Sequence, residues 1–100
     1  MSGKRYQVFM APSAHRRYKK FDSLLKERIR KEANRISEAP HGYEELKGPL
    51  RGIRCYHFAY RKTLYRIAYR ILEDKEQIEV VLVKSRESFY NSLRRIIRSS

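Results

Sequence analysis

The segment LYRIAYRIL, residues 64–72, has the alternating pattern of a β-strand. Successive side chains of an extended strand point to opposite faces of a sheet, so alternate residues share a face. One face of this segment is apolar and carries Tyr65, Ile67, Tyr69 and Ile71. The other face carries Arg66 and Arg70, with Ala68 between them. The pattern predicts a strand whose apolar face is covered by helices and whose arginine face looks away from them.

Similar segments on both sides of this strand predict a sheet. Residues 53–60 and 77–84 are rich in β-branched and aromatic residues, and short polar connections at 61–63 and 73–76 join them to the central strand. The three segments form an antiparallel meander. Residues 5–10, RYQVFM, predict a first strand, whereas residues 43–52 contain two glycines and a proline and predict a loop.

Two helices are predicted between the first strand and the meander. Pro12 and Ser13 open the first, with Ser13 as its N-cap, and Asp22 and Ser23 cap the second. The second helix has an apolar stripe at helical spacing, formed by Leu25, Ile29, Ala33 and Ile36. The helices should form a hairpin with one shared apolar face that packs on the strands.

A short amphipathic helix follows Tyr90, because Leu93, Ile96 and Ile97 recur at helical spacing. This helix either packs on the sheet or is held by a partner. The predicted fold class is therefore α+β, in the order β-α-α-β-β-β with an antiparallel sheet packed against a helical hairpin, plus a short C-terminal helix. One hundred residues suffice for one modest core, so we expect a single domain over residues 1–100.

The charge of the chain indicates its partners. It contains 24 Lys and Arg against 11 Asp and Glu, which gives a net charge of +13, and the cations are spread along the chain. Such a field attracts polyanions and accelerates their encounter with the protein. Nucleic acid or a strongly acidic protein is the expected partner, and a solvated cationic surface without function is the alternative.

The composition argues against a disulfide, a metal centre and a membrane anchor. Cys55 is the only cysteine, which favours a reducing compartment. The three histidines lack metal-ligand spacing, and the pair Cys55 and His57 alone does not make a zinc site. No apolar run approaches the about 20 residues that span a bilayer, and the N-terminus lacks an apolar signal core. We therefore expect a cytoplasmic protein without metal or other cofactors and without membrane contact.

Cations and a phenol should converge where the last strand ends. In a regular hairpin Arg66 lies opposite residue 83 or 84, and the stretch VLVKSRESFY, residues 81–90, adds Lys84, Arg86 and Tyr90. Such a cluster suits RNA cleavage by the substrate's own 2′-hydroxyl, because arginines stabilise the pentacovalent phosphate without metal. Neighbouring cations should lower the pKa of Tyr90, which makes it one candidate for proton transfer. His57 on the adjacent strand is the other.

Each of these residues also has a purely structural explanation. Tyr90 can complete the core, His57 can simply pack, and outward arginines can be solvated. The convergence of the cluster favours the functional interpretation. Further RNA contacts are expected from cations on and near the sheet: Lys47, Arg54, Arg61, Arg70 and Lys84.

The element order, the loop ELKG at 45–48, the strand YRIAY at 65–69 and the segment RESFY at 86–90 together resemble the RelE/ParE superfamily of toxins from toxin–antitoxin pairs. The resemblance spans nearly the whole chain. In the RelE branch, which cleaves mRNA in the ribosomal A site, it implies catalytic roles for Arg66, Arg86 and Tyr90. Some relatives carry two lysines at the positions of His57 and Ala59, and many carry histidine at the position of Ser85. These departures leave the cleavage activity open.

The resemblance further implies an acidic antitoxin as cognate partner, together with the ribosome and mRNA. The competing function is that of ParE-type relatives, which share the fold, lack a committed ribonuclease site and bind DNA gyrase. A third alternative is an inactive relative that retains only RNA or antitoxin binding. The combination of Arg66, Arg86 and Tyr90 favours the ribonuclease.

Overall fold

The computed structural model describes residues 5–99, which form five strands and three helices; residues 1–4 and 100 of the predicted domain lie outside this range. No helix in the described range is long and apolar enough to cross a membrane. The strands are β1 (Gln7–Met10), β2 (Glu44–Glu45), β3 (Arg54–Tyr60), β4 (Thr63–Leu72) and β5 (Gln77–Ser85). The helices are α1 (Pro12–Tyr18), α2 (Ser23–Glu38) and α3 (Phe89–Ser99).

The strands form one sheet in the order β1-β5-β4-β3-β2. Strands β3, β4 and β5 form the predicted antiparallel meander, and the α+β fold class is confirmed. Two details differ from the prediction. Strand β1 pairs with β5 in parallel, because the two helices carry the chain across the sheet between them, and β2 pairs with β3 inside the segment predicted to be a loop.

The helical hairpin covers the apolar face of the sheet, as predicted. Side chains from α1 and α2 pack against Tyr69, which is fully buried and donates a hydrogen bond from its hydroxyl to the Pro40 carbonyl at 2.6 Å. Burial raises the pKa of Tyr69. Asp22 caps α2 as predicted, since its carboxylate accepts a hydrogen bond from the Leu25 N–H at 2.8 Å. The buried members of this core are Ala14, Leu25, Ile29, Ile36, Phe58, Ile67, Tyr69, Ile78, Val80 and Val83.

The opposite face of the sheet is only partly open, because α3 packs on it. Phe89 and Leu93 are fully buried there against Ala68 and Leu82. The short side chain of Ala68, between the two arginines of β4, leaves room for the helix. The expectation that the arginine face looks away from the helical hairpin is confirmed, but α3 divides that face into a covered centre and an open end.

A β-bulge at Val81 shifts the register between β4 and β5. Ala68 pairs with Leu82, whereas Tyr69 pairs with Val80, so Val81 has no partner in β4. The carbonyl of Val81 instead accepts a hydrogen bond from the Ser13 hydroxyl at 3.0 Å. The predicted N-cap role of Ser13 is therefore wrong. Ala11 occupies the N-cap of α1, and the Ser13 hydroxyl donates its hydrogen bond to the bulge instead.

A buried carboxylate joins the helical hairpin to the sheet. Glu32 of α2 is 2% exposed and accepts hydrogen bonds from the Tyr56 hydroxyl of β3 and from the Arg28 Nε at 2.6 Å, with Arg35 at 3.6 Å. Burial by itself would raise the pKa of Glu32, but these donors and cations hold it below its ordinary value. For Tyr56, burial and the bond to Glu32 raise the pKa to about 12.

We expect Glu32→Ala to lower the free energy of unfolding by about 1–3 kcal/mol, because the Tyr56 hydroxyl loses its acceptor. Urea titrations followed by circular dichroism measure this. A carboxylate with a lowered pKa stabilises the fold above its unfolded pKa, and the contribution is lost as the pH falls below about 4. The difference between wild type and variant should therefore shrink in acid.

The exposed Glu27 on the same helix provides the control. Glu27→Ala should change the free energy of unfolding by less than about 0.5 kcal/mol. Equal losses for the two variants would contradict a stabilising role of the buried network.

Candidate functional site

The bulge aligns three basic side chains in a row across the sheet. Arg66 of β4 lies directly opposite His57 of β3 on one side and Lys84 of β5 on the other. Residues opposite each other in antiparallel strands share a face, so all three lie on the face away from the helical hairpin. Without the bulge, the pairing of Leu72 with Gln77 would place Val83 opposite Arg66.

The open end of this face forms a groove. Its floor and walls come from the β3–β4 turn, the start of β4 and the chain that follows β5. The Arg86 N–H donates to the Leu64 carbonyl at 2.9 Å, which continues the strand pairing beyond Ser85. The lining residues are Lys62, Thr63, Leu64, Arg66, Ser85, Arg86 and Glu87.

Arg66 and Arg86 thus meet in one groove, as predicted, and Arg66 is held there by aromatic rings. Its guanidinium carbon lies 5.2 Å from the ring centroid of Tyr90 and 6.0 Å from that of Phe89. Its Nε is buried and has no hydrogen-bond partner among the described residues. Ring contacts fix a guanidinium while leaving its hydrogen-bonding capacity unspent. Besides the buried Nε–H, the guanidinium carries four N–H groups on its terminal nitrogens, which are the groups that can bind an incoming phosphate.

Lys84 supports the chain beside the groove. Its ammonium group donates to the backbone carbonyl of Glu87. This contact ties the end of β5 to the turn that precedes α3, where Ser88 takes a left-handed conformation with φ of 56°. Lys84 therefore positions the segment that carries Arg86, in addition to adding charge next to Arg66.

Tyr90 differs from the prediction in its protonation. Burial raises the pKa of its phenol, the adjacent Cys55 thiol raises it further, and Arg66 lowers it without reversing the shift. Burial also raises the pKa of the Cys55 thiol, so the thiol beside Tyr90 remains uncharged as well. The expected lowering of the Tyr90 pKa by cations is thus wrong, because burial and the thiol outweigh Arg66. The phenol stays neutral near pH 7.

His57 is exposed beside Arg66, and the neighbouring Cys55 on the same face is buried. The ring nitrogens of an imidazole can donate and accept hydrogen bonds to a ligand. Among residues 5–99, no group of three or more His, Cys, Asp and Glu side chains could hold a metal ion.

Other predicted RNA contacts lie away from the groove. Arg54 sits on the helical-hairpin face, where it donates to the carbonyls of His41 and Tyr43 at 3.2 and 2.7 Å. Arg70 lies on the face of Arg66 but forms an ion pair with Glu79 at 2.9 Å. These two arginines have structural partners that occupy their guanidinium groups.

The remaining two predicted contacts are exposed. Lys47 lies in the loop that follows β2. Arg61 lies in the β3–β4 turn, with its guanidinium 5.3 Å from the Tyr60 ring centroid. Neither lines the groove.

Five residues of the groove lining were not predicted as site residues: Lys62, Thr63, Leu64, Ser85 and Glu87. Lys62 and Thr63 were assigned only to a connection, and Glu87 was passed over between two residues of the expected site. Their proximity to Arg66 and Arg86 in a tight hairpin was the available signal.

Comparison with known proteins identifies the class to which this fold and groove belong. Residues 8–94 match the model of the ParE-like toxins of type II bacterial toxin–antitoxin systems, and the chain belongs to this family within the RelE/ParE superfamily. A RelE-like candidate toxin of Escherichia coli is 30% identical over 84 residues, which cover 83% of this chain and 85% of the relative.

Solved structures share the fold. The RelBE2 toxin–antitoxin complex of Mycobacterium tuberculosis matches with a TM-score of 0.69 and 25% identity, over 82% of this chain and 92% of the matched chain. The free form of a mutant of the E. coli toxin RelE matches with a TM-score of 0.72 and 23% identity, over 95% of this chain and 98% of the matched chain.

The environment of Tyr90 predicts its titration. The difference in phenolate ultraviolet absorbance between wild type and Tyr90→Phe isolates this one tyrosine, and we expect its pKa to lie above 10, the ordinary value. Arg66→Ala should raise the pKa further, since it removes the cation that favours phenolate.

The same titration in the Cys55→Ala background should give a lower pKa for Tyr90, because the thiol helps to raise it. A Tyr90 pKa below the ordinary value in the wild type would contradict the described environment.

Proposed function

We propose that this toxin is a metal-independent, ribosome-dependent endoribonuclease that cleaves mRNA in the A site. The observation that carries the proposal is the groove that Arg66, backed by aromatic rings, lines together with Arg86. Two guanidinium groups in one groove can hold the non-bridging oxygens of a single phosphodiester.

The reaction needs no nucleophile from the protein. The 2′-oxygen of the RNA attacks the adjacent phosphorus, the bond from phosphorus to the 5′-oxygen breaks, and a 2′,3′-cyclic phosphate and a 5′-hydroxyl result. One proton leaves the 2′-hydroxyl and one is delivered to the 5′-oxygen. The charge that develops on the phosphate oxygens is stabilised by Arg66 and Arg86, which are already in place.

His57 is assigned to proton transfer. It is exposed, lies next to Arg66 on the neighbouring strand and carries a group suited to accept the 2′-hydroxyl proton. Ala59, the next residue on that face, carries no charge. Arg66, Arg86 and Lys84 therefore provide the positive charge that stabilises the transition state.

Tyr90 contributes mainly through its ring in this account. The ring supports the Arg66 guanidinium at 5.2 Å, and the neighbouring Cys55 thiol helps to raise the pKa of the hydroxyl. The raised pKa excludes the phenolate as the base near neutral pH. Tyr90 therefore holds Arg66 in its reactive position.

The partner that neutralises the toxin is an acidic antitoxin. The net charge of +13 and the open basic groove suit such a protein, and the similar M. tuberculosis structure is a complex of a toxin with its antitoxin. The same charge suits ribosomal RNA. Both contacts should weaken as the salt concentration rises.

Gyrase inhibition is the second candidate function. The family model that matches is that of ParE-like toxins, and Ala59 leaves the groove with less charge than a row of lysines would provide. A gyrase inhibitor acts by binding, so its toxicity would not depend on Arg66 and Arg86 as a phosphate clamp.

Primer extension on mRNA bound to translating ribosomes tests the proposal. The wild type should produce A-site breaks, and Arg66→Ala and Arg86→Ala should each slow cleavage about 10²- to 10³-fold, as the loss of a transition-state donor does. Lys75→Ala, in the exposed turn at the other end of the β4–β5 hairpin, should cleave like the wild type. Intact mRNA together with inhibited gyrase supercoiling would establish the second candidate instead.

Substitutions at Tyr90 separate its ring from its hydroxyl. Tyr90→Phe keeps the ring and should reduce the cleavage rate less than about tenfold, whereas Tyr90→Leu should reduce it about 10- to 30-fold through the lost cation–π contact. Single-turnover rates on the ribosome measure both. A loss of 10² or more in Tyr90→Phe, as expected on removal of a catalytic acid, would assign proton transfer to the hydroxyl.

A further inference from the structure

The turn between β3 and β4 has an unusual composition. Its two residues, Arg61 and Lys62, both have positive φ, at 50° and 66°. A two-residue hairpin with both φ values positive is a type I′ turn, in which Asn-Gly is preferred because larger L-residues are strained there. This chain places two long cationic residues in the turn. Strain that persists in a native structure is a reason to look for a function.

The two residues of the turn have different surroundings. Arg61 leans on the Tyr60 ring and is absent from the groove lining, whereas Lys62 lines the groove together with the adjacent Thr63. Lys62 is exposed and forms no ion pair within residues 5–99. Packing therefore gives no reason for a cation at this position.

The groove extends along β4 from the turn at Lys62 to Arg66. Lys62 and Arg66 are four residues apart along the chain, which corresponds to about 13 Å in an extended strand. The Arg86 N–H bonds to the Leu64 carbonyl, so Arg86 lies between these two ends of the groove. A polyanion with regularly spaced phosphates can occupy both ends of the groove, as single-stranded nucleic acid does in basic channels.

We propose that Lys62, with the Thr63 hydroxyl, forms a second phosphate subsite that binds a neighbouring phosphodiester of the same RNA strand. This inference rests on the proposed function, since the first phosphate is the one placed between Arg66 and Arg86. Lys62 supplies the charge, and the hydroxyl supplies a directed donor. Glu87, the acidic residue of the lining, directly follows Arg86, whose N–H bonds to the Leu64 carbonyl. The subsite determines how the strand lies along the groove, and the arginines act on the bond to be broken.

The test uses binding rather than cleavage. The probe is a single-stranded 2′-O-methyl oligoribonucleotide, which cannot be cut, and its dissociation constant is measured by fluorescence anisotropy over a series of salt concentrations. Lys62→Gln should weaken binding and should reduce the slope of log affinity against log salt by about 0.7, the value for one lost phosphate contact on a single strand. Lys75→Gln, which removes the same charge from the distant turn, should leave the slope unchanged.

Lys62→Gly separates binding from folding. Glycine adopts positive φ without strain, so this variant should keep or raise the melting temperature, by about 2–4 °C, while it binds as weakly as Lys62→Gln. The combination of a stable fold with weaker binding cannot come from partial unfolding.

Three results would overturn the subsite. Wild-type binding by both Lys62 variants, with affinity lost in Arg66→Ala, would remove the second subsite and leave the proposed function intact. Equal losses in Lys75→Gln and Lys62→Gln would reduce the effect to general surface charge. If Arg66→Ala and Arg86→Ala, in addition to the Lys62 variants, bound RNA with wild-type affinity, RNA would not occupy the groove. Both the subsite and the proposed function would then be wrong.

Discussion

The register between β4 and β5 is the constraint on which the site depends. A strand with strict alternation would turn Val83 away from the helical hairpin and turn Lys84 toward it, because side chains change face at every residue. The bulge at Val81 adds one residue and resets the alternation. Val83 then completes the apolar core, and Lys84 lies beside Arg66. The Ser13 hydroxyl stabilises the bulge by satisfying its free carbonyl, so the first helix helps to set the geometry of a groove on the opposite face.

The two faces of the sheet have different tasks. The face under the helical hairpin supplies most of the buried apolar surface, and Glu32 fixes the hairpin to β3. The other face is covered by α3 only at its centre, where the short side chain of Ala68 leaves room for the helix. The first turn of α3 brings Phe89 and Tyr90 onto Arg66, so the same helix closes a second small core and fixes a cation at the groove. Folding of α3 and organisation of the groove are therefore linked.

The sequence predicts the parts that depend on local pattern. The alternation in LYRIAYRIL identified both faces of β4, and the stripe beginning at Leu25 identified α2. The parts that depend on pairing between distant segments could not be predicted: the bulge needs β4 and β5 side by side, and the parallel position of β1 needs the crossover. The pKa of Tyr90 was predicted in the wrong direction because neighbouring cations can be counted in a sequence, whereas burial and contact with Cys55 cannot. Lys62 escaped notice because turn rules favour Asn-Gly there.

If Arg66 and Arg86 act on one phosphate, a double-mutant cycle on ribosome-bound mRNA will show that their contributions are coupled. Residues that act as a unit give strongly non-additive losses. We expect the double variant Arg66→Ala/Arg86→Ala to lose little more kcat/KM for cleavage than either single variant loses. If the fold-loss of the double variant equalled the product of the two single fold-losses within about twofold, as for distant and independent sites, the two arginines would not act on one phosphate.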